Sequence, residues 1–403
     1  MAQTGHVYLQ CGKWYVRLRM NFPENGKIVR KQKAIFLAEK SGRYRQESDL
    51  AELAQEKLAG VKAAEKCPRS AELFIEYVKN TWLPFVARSK KPSTAAGYGS
   101  YWHRYIKPRV EGLALRDFDV AVISSLLEDA AEMHKLNVDT VGKVRSILSA
   151  IFTYAIGHGH FPAKSMQDNP AHSALIPETA TEPKATHTAT RAQVKANLAA
   201  LDAAGLLLER AAVAIVAYAG TRPGEARGLQ WPDWNRSADE ILVQRSIWHT
   251  HETAPKTEQS NAFVTVCPEL RAILLDLWEW QGCPLGGYVL AHKDGQRANL
   301  DNLSKRTIVK ALSRCAVCQQ SELAEHEDHD FQRDAKTSVP WYGFYSLRRF
   351  HGTEVRREAG NSDTSSKALR NSKAVADRHY LAPASVLPDV RKAVNGAMAG
   401  LSN

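Results

Sequence analysis

Long apolar runs are missing from this chain. The best of them, residues 211–220, has about half of the 20 residues that a bilayer-spanning helix needs and is better explained as a buried helix. The first ten residues contain no apolar stretch of the kind found in signal peptides. The chain has only 6 cysteines in 403 residues, too few for a disulfide-stabilised scaffold. We therefore expect no membrane partner and a reducing, cytoplasmic location.

Acidic residues are the second shortage. The chain has 43 aspartates and glutamates against 54 lysines and arginines, which gives a formal net charge of +11. This balance favours a polyanionic partner, because basic side chains that neutralise phosphates release condensed counterions. An ordinary solvated surface on a basic protein explains the same charge equally well. Charge alone therefore does not identify the partner.

The length allows two or three domains with separate cores, and we expect domains at residues 1–66, 67–178 and 179–403. Apolar and polar side chains alternate within residues 5–38, as in half-buried strands, and a helix is expected over residues 48–65. The first 45 residues contain ten basic side chains and two acidic ones. Arginines on the wet face of a small sheet can enter a DNA groove, so Arg17 and Arg19 are DNA-binding candidates. An edge sheet kept soluble by its charges is the alternative.

The middle region has helical periodicity, with an apolar stripe between Val144 and Ala155. Basic and aromatic residues interleave over residues 88–109. Stripes of this kind are usually core, so Tyr98, Trp102 and Tyr105 are expected to pack inside the domain. The DNA-binding candidates here are therefore basic residues, namely Lys90, Lys91, Arg104 and Arg109. Residues 161–190 are rich in proline, alanine, threonine and histidine, which predicts an extended linker.

Two segments of the C-terminal region carry candidate site residues. In the first, residues 217–231, an apolar helix is expected to end at Gly220, and Pro223 should restart a helix just after Arg222. Glu225 lies one turn further on. In the second, a strand over residues 241–248 and a returning strand over residues 262–266 should form a β-hairpin, with Lys256 in its polar loop. Taken singly, a turn arginine and a loop lysine are common features of surfaces.

The third segment makes the pattern specific. It reads YSLRRFHGTEVRREAG from Tyr345 and then LRNSKAVADRHYL up to residue 381. It resembles the His-x-x-Arg, Leu-Gly-His and following tyrosine of the tyrosine recombinase, or phage integrase, family. In this register Arg348 is the arginine, Asn371 stands at the final histidine, and Tyr380 follows it by nine residues. The first segment resembles the family's Gly-x-Arg-x-Gly-Glu box, and the second its hairpin lysine.

The resemblance implies a mostly α fold with small β elements. A small β-sheet and a helix would form an arm-binding domain, followed by a helical core-binding domain and a mainly α catalytic domain with a β-hairpin. It also implies a site-specific recombinase, or integrase, that cleaves and rejoins DNA of a mobile element through a 3′-phosphotyrosine bond. The implied partners are double-stranded DNA at core and arm sites, three further copies in a homotetramer, and an excision-directionality factor.

The roles implied for individual residues agree with their chemistry. Arg222 and Arg348 provide permanently cationic, forked donors for the charge that develops on a phosphate. Tyr380 would be the nucleophile, and Lys256 the general acid for the departing 5′ oxygen. Glu225 would orient an arginine. No cofactor is needed for this chemistry.

Two residues depart from the family pattern. Tyr345 stands where the family has histidine, and a phenol with an ordinary pKa near 10 is a poor base. Asn371 replaces a histidine or tryptophan, but its amide can still donate to a phosphate oxygen. We expect an active, slower enzyme in which His351 and His379 are bystanders. A type IB topoisomerase-like enzyme and a DNA-binding protein with a decayed site remain the alternatives.

Two further features lie outside this pattern. Cys315, Cys318, His326 and His329 have the spacing C-x2-C-x7-H-x2-H, which is compatible with zinc. The neighbouring acidic residues leave a plain solvated loop as the alternative. Within residues 388–401 a tail helix would carry Val390, Val394, Ala397 and Leu401 on one face. The family resemblance implies that such a helix docks on a neighbouring protomer, and packing on its own domain is the alternative.

Overall fold

The structure is a computed structural model that describes residues 5–24, 27–55, 57, 67–163, 165–253 and 262–380. The chain divides into two compact units, Met1–Lys184 and Ala185–Asn403. The first unit contains two separate hydrophobic cores, and the second contains one large core. Over the described ranges, no helix combines the length and the apolar character of a membrane span. The expected boundaries at residues 66 and 178 remain predictions.

The N-terminal sheet has three antiparallel strands in the order β1-β2-β3. They are β1 (His6–Gln10), β2 (Lys13–Glu24) and β3 (Lys27–Glu39). The predicted alternation is confirmed, because one face is buried and the other is exposed. The buried side chains are Val7, Trp14, Val16 and Leu18, which form a core with Leu50 and Ala54.

The predicted helix after this sheet begins as the 3-10 turn Glu47–Leu50 and continues as α-helix to residue 55. Most of the remainder of the predicted 48–65 range lies outside the described residues. Leu50 is completely buried under the sheet. Its burial explains why the segment folds back onto the strands, since a three-stranded sheet needs a partner to cover its apolar face.

The first unit is mainly helical from Phe74 to Gly157, as predicted. The α-helices are Phe74–Tyr77, Leu83–Ser89, Pro92–Tyr101, Val120–His134 and Val138–Gly157, and the turns Val78–Trp82 and Trp102–Ile106 are π-helical. The two long helices begin where the side chains of Asp119 and Asn137 each accept the backbone N–H of the residue three positions ahead. Such side-chain caps satisfy donors that have no partner inside the helix.

Aromatic side chains fill the core of this helical region. Trp102 and Tyr105 are buried, and Tyr98 stacks on Trp82 with ring centroids 5.6 Å apart. Their interpretation as packing residues is confirmed. Arg109 was a DNA-binding candidate, but its guanidinium donates to the carbonyls of Tyr105 at 2.9 Å and Asp129 at 3.3 Å. These contacts hold the guanidinium within its own unit, and its expected DNA contact stays a prediction.

The predicted linker over residues 161–190 is wrong in its first half. Ala171 and Ala174 are buried in the helical core, and the 3-10 turn Met166–Asp168 precedes them. Asn169 is buried too, and its Nδ2 donates to the Ser149 carbonyl at 2.9 Å. This hydrogen bond offsets the free-energy cost of removing the polar Asn169 side chain from water. The polar composition, from which the linker was inferred, does not reveal it.

The second unit surrounds one hydrophobic helix, Leu207–Ala219, whose side chains are buried nearly all round. Thr190 caps the N-terminus of the helix Arg191–Ala203 by a capping box with Gln193. The α-helices of this unit are Arg191–Ala203, Leu207–Ala219, Pro223–Gly228, Pro268–Trp280, Leu300–Leu303, Val309–Leu312, Phe344–Ala359, Ser362–Ala368 and Lys373–His379, with a π-helical turn at Ser304–Ile308. A mostly helical fold with small antiparallel sheets is therefore confirmed.

The strands of the second unit confirm the predicted antiparallel pairing of the hairpin but shorten its first strand. They are β4 (Trp234–Asn235), β5 (Glu240–Val243), β6 (Ser246–Trp248), β7 (His251–Thr253), β8 (Ala262–Thr265), β9 (Arg314–Cys315) and β10 (Arg333–Asp334). Strand β5 pairs with β4 and β8, whereas β6 pairs with β7 in a separate two-stranded sheet. The predicted strand over residues 241–248 breaks at Gln244 and Arg245, because both side chains turn toward the carboxylate of Asp233.

Candidate active site

Arg222 is held at a sharp junction between two helices. Gly220, with a φ of +60°, ends the helix Leu207–Ala219, and Pro223 begins the next one. Between them, Arg222 has an extended backbone and precedes the first helical residue. The carboxylate of Glu225 accepts its backbone N–H at 2.9 Å and its Nη1 at 2.5 Å. The expected role of Glu225 in orienting this arginine is consistent with these contacts.

Gly220 also makes room for His351. A Cβ at this glycine would lie 2.4 Å from Cδ2 of His351, which is closer than any real contact. The His351 ring hydrogen-bonds through Nδ1 to the carbonyl of Ala217 at 3.3 Å. Burial lowers the pKa of His351 to about 4, against that hydrogen bond. The ring is therefore neutral at pH 7 and packs against the helix junction, and its expected lack of a catalytic role stays a prediction.

Arg348 lies on the helix Phe344–Ala359 and is completely buried. Its Nη1 donates to the carbonyl of Gly220, and its Nη2 donates to that of Leu369 at 2.6 Å. Burial, followed by the like charge of Arg222, lowers the pKa of Arg348 to about 10. The guanidinium remains protonated at neutral pH. A buried cation fixed by two carbonyls is well suited to a defined anion position.

Glu225 links this arginine to a residue that the sequence analysis missed. Its side chain is almost fully buried, receives Nη2 of Arg370 at 2.6 Å and lies 4.0 Å from Arg348. Burial alone would raise the pKa of Glu225, but Arg370, Arg222 and Arg348 lower it below its usual range. The site is thus one carboxylate among three guanidiniums.

Arg370 stands at the glycine of the Leu-Gly-His pattern. Its φ is +53°, a left-handed conformation in which glycine is the least strained residue. The available signal was a charged residue at a glycine position of the motif, directly before Asn371. The sequence does not show that this side chain turns inward, because its partner Glu225 is 145 residues away.

Asn371 is joined to the arginines, since its Oδ1 accepts Nη2 of Arg222. Its Nδ2 is buried and has no hydrogen-bond partner among the described residues. Nε of Arg348 and Nη1 of Arg370 are likewise buried and have no hydrogen-bond partner among the described residues. Buried donors without acceptors are costly, and an anion at this place would supply acceptors. Three arginines against one glutamate give a net charge of +2, which also favours an anion such as a phosphate.

Tyr380 directly follows the helix Lys373–His379. Its ring centroid lies 4.7 Å from Cζ of Arg348, within the range of a cation–π contact. The ring packs on a small apolar cluster of Leu369 and Ala376, separate from the main core of the unit. The structure therefore brings the expected nucleophile to the arginine cluster of the same chain.

Tyr345 lies on the same helix as Arg348, one turn earlier, and is half exposed. Partial burial and the nearby Tyr380 raise the pKa of Tyr345 above its usual value. The phenol is therefore protonated at neutral pH and is a donor rather than a base. Lys256, the tail at residues 388–401 and the side chain of His379 lie outside the described residues, so their expected roles stay predictions.

The DNA-binding candidates belong to the first unit, and the zinc candidates belong to the second. The side chains of Arg17, Arg19, Lys90, Lys91 and Arg104 are exposed. Arg17 lies over the ring of Tyr8 on the exposed face of the N-terminal sheet, 4.7 Å from its centroid. The four candidate zinc ligands are brought together, with their ligand atoms within 4.8 Å of one another.

Comparison with known proteins gives a consistent result. No family model matches the chain. A tyrosine recombinase XerC-like protein from Caldanaerobacter subterraneus subsp. tengcongensis is 26% identical over 343 residues, which cover 77% of this chain and 83% of the relative. The fold is similar to that of the Tn1549 transposon integrase solved with circular intermediate DNA, with a TM-score of 0.60, 12% identity, and coverage of 80% of this chain and 98% of the other.

A lambda integrase dimer solved on a COC′ core site is also similar, with a TM-score of 0.57 and 15% identity over 94% of this chain and 96% of the other. At these identities the structural matches establish the fold. Together with the sequence relative, they confirm the resemblance to tyrosine recombinases and integrases that the motifs indicated.

Proposed function

We propose that this chain is a site-specific DNA recombinase that cleaves and rejoins strands through a covalent 3′-phosphotyrosine intermediate, as an integrase of a mobile element. One observation carries the proposal. The ring of Tyr380 lies on the guanidinium of Arg348, in the cluster that also contains Arg222, Glu225 and Asn371. A tyrosine beside an anion-binding cluster with unsatisfied buried donors is suited to attack a phosphodiester.

In the proposed reaction the scissile phosphate binds between Arg222 and Arg348. Their forked N–H groups are donors for the non-bridging oxygens, which gain negative charge in the transition state. The free Nδ2 of Asn371 provides a further donor. Glu225 does not contact the phosphate in this scheme. Glu225 instead holds Arg222 and Arg348 in position, and its negative charge reduces the repulsion between them.

Tyr380 then attacks the phosphorus through its phenolic oxygen. The new O–P bond joins the enzyme to the DNA 3′ phosphate, the bond to the 5′ oxygen breaks, and Lys256 gives that oxygen a proton. The phosphotyrosine ester conserves the bond energy, so a free 5′ hydroxyl of another strand can reverse the step. No nucleotide or metal is required in this scheme.

Tyr345 assists by hydrogen bonding in this scheme. Its raised pKa keeps its own proton in place, so it does not take up the proton that Tyr380 loses. In this scheme that proton passes to solvent water, whereas a histidine at this position could accept it. We infer that the chemical step is slower than in an enzyme with histidine at this position.

DNA binding is proposed for all three expected domains. The exposed Arg17 and Arg19 would contact arm sites, and the exposed Lys90, Lys91 and Arg104 would contact core sites. Because the lambda integrase relative has also been solved as a tetramer on a Holliday junction, we propose a homotetramer on DNA, with an excision-directionality factor as a further partner.

The test is a nicked duplex that carries the junction sequence of the element and traps the covalent intermediate. Wild-type protein should become linked to a DNA 3′ end through Tyr380. The Tyr380→Phe variant should bind the same duplex with unchanged affinity and form no adduct. Tyr345→Phe is the matched control, since it removes the other phenol of the cluster and should only slow the adduct. Tyr345→His should speed it.

Three results would contradict the proposal. An adduct that survives Tyr380→Phe, or one that maps to Tyr345, would exclude the nucleophile. Relaxation of supercoils without any site preference would indicate a type IB topoisomerase-like enzyme. Specific binding with no adduct in the wild type would indicate a decayed site.

A further inference from the structure

The second unit contains a compact group of cysteines and histidines that the proposed recombination chemistry does not use. Sγ of Cys315 lies 3.2 Å from Nε2 of His329, and Sγ of Cys318 lies 3.5 Å from Nδ1 of His326. All four ligand atoms lie within 4.8 Å of one another. Zinc–sulfur bonds of about 2.3 Å and zinc–nitrogen bonds of about 2.0 Å place sulfur and nitrogen about 3.5 Å apart around a tetrahedral ion. The observed separations fit one ion between the four atoms.

The histidine rings are oriented as metal ligands. Nε2 of His326 faces the carbonyl of Ser321 at 3.1 Å. That contact requires the proton on Nε2, which leaves the lone pair of Nδ1 directed at Cys318. A ligand histidine commonly donates its second nitrogen to a backbone carbonyl in this way, which fixes the ring and its tautomer.

The cysteine pair lies in a tight turn anchored by a small sheet. Strand β9 ends at Cys315 and pairs with β10, and the N–H of Gln319 returns to the Cys315 carbonyl at 2.9 Å. Gln319 has a φ of +60°, so the chain reverses sharply after Cys318. This turn presents both sulfurs on the same side.

The segment has no hydrophobic core of its own. None of residues 316–337 is buried, and Val317 and Leu323 are exposed. Short segments that bury so little apolar surface are usually stabilised by disulfides or metals. Both cysteines are free thiols here. A bound metal would therefore give this segment the stability that a hydrophobic core gives elsewhere.

We propose that Cys315, Cys318, His326 and His329 bind one zinc ion as a structural site. A tetrahedral set of two sulfurs and two nitrogens is typical of zinc. Four protein ligands leave no open position for substrate or water, so the ion would have no part in strand transfer. Residues 313–338 carry six acidic and three basic side chains, which is unlike a DNA-binding surface.

The ion would stabilise the chain that leads into the helix Phe344–Ala359. At the base of the segment, the N–H of Arg314 donates to Oγ of Ser338 at 2.8 Å, and the N–H of Val339 donates to the carbonyl of Leu312 at 2.9 Å. These bonds join the metal-binding segment to the residues immediately before the helix that carries Tyr345 and Arg348. Loss of the metal should loosen this connection first.

The test begins with elemental analysis of the purified full chain, which should contain about one zinc per chain. Cys318→Ser and His326→Ala should each lower bound zinc by about tenfold or more. Cys283→Ser and His292→Ala are matched controls at an exposed cysteine and an exposed histidine of the same unit, and they should retain it. A chelator should lower the Tm of the wild type and of both controls.

Cobalt substitution of the wild type provides a test that does not depend on the folding of any variant. One cobalt per chain should give the visible bands of a tetrahedral thiolate site and protect two thiols from alkylation. Wild-type protein with no stoichiometric zinc and no such cobalt spectrum would overturn the proposal. So would a Cys315–Cys318 disulfide in freshly purified protein, or full retention of zinc by Cys318→Ser.

Discussion

The cluster around Glu225 allows one prediction to be worked out in detail. In Glu225→Gln the side chain keeps its shape but loses its charge, which leaves three guanidiniums without a counter-ion. Arg370 and Arg222 lie 2.6 Å and 2.5 Å from the carboxylate, and Arg348 lies 4.0 Å from it. Removal of one partner from a buried ion pair typically costs about 3–5 kcal/mol. We expect the second unit to lose stability in this range at pH 7.

The matched control is Glu354→Gln. Glu354 also contacts two arginines, Arg191 and Arg357, the second of them at 2.5 Å. Both guanidiniums are largely exposed. Exposed pairs contribute at most about 1 kcal/mol, so this variant should remain close to the wild type. Urea denaturation monitored by tryptophan fluorescence measures both variants.

The stability that Glu225 contributes should also depend on pH and on a second substitution. Because its folded-state pKa is lowered, Glu225 contributes stability that is present above its unfolded value of about 4.3 and is lost as pH falls through the folded value. The difference between wild type and Glu225→Gln should therefore shrink in acid. Adding Arg370→Gln should recover part of the loss, since it removes one unbalanced charge. A loss at pH 7 no larger than that of Glu354→Gln would refute the reasoning.

Three further predictions follow from the same structure. Gly220→Ala should lower the free energy of unfolding by more than about 2 kcal/mol, because the new Cβ is strained in the left-handed backbone conformation and collides with His351. Gly286→Ala is the control, since a Cβ there meets open space and should leave the free energy of unfolding nearly unchanged in the same denaturation experiment. The pKa of His351 is lowered in the folded state, so its contribution to stability is present above about pH 6.5 and is lost as the pH falls toward 4, by about 3 kcal/mol. Melting curves of His351→Gln should therefore show a smaller loss of stability between pH 6.5 and pH 4 than those of the wild type. Replacing Arg17 and Arg19 by glutamine should weaken binding to duplex DNA and lower the salt dependence by about 0.9 per lost phosphate contact, and an unchanged salt slope in filter binding would exclude these contacts.

Local hydrophobic periodicity, together with glycine and proline at the ends of helices, was sufficient to predict much of the fold. The alternation at Trp14, Val16 and Leu18 corresponds to a strand with one buried face, and Gly220 and Pro223 mark the end and the start of helices as expected. These patterns are readable because each depends on neighbours within a few residues. The order and spacing of the motif residues likewise indicated the contact between Arg348 and Tyr380.

The features that were missed depend on partners far along the chain. Gln244 and Arg245 break a strand because they reach Asp233, and Asn169 is buried because it bonds to the helix Val138–Gly157. Arg370 turns inward to Glu225 across 145 residues. Composition and periodicity contain no information about such pairings. An arginine in a glycine position of a motif is nevertheless a signal that could be sought in other sequences.

The small apolar cluster under Tyr380 has a consequence for motion. The helix Lys373–His379 contributes Ala376 to a cluster in which only one other side chain, Leu369, is fully buried among the described residues. Segments with few buried apolar contacts open locally at a small fraction of the global unfolding free energy. The amides of this helix should therefore exchange with deuterium well before those of the fully buried helix Leu207–Ala219. The tyrosine could leave its guanidinium and return while Glu225 and its arginines stay folded, so repeated engagement would require no rearrangement of the anion site.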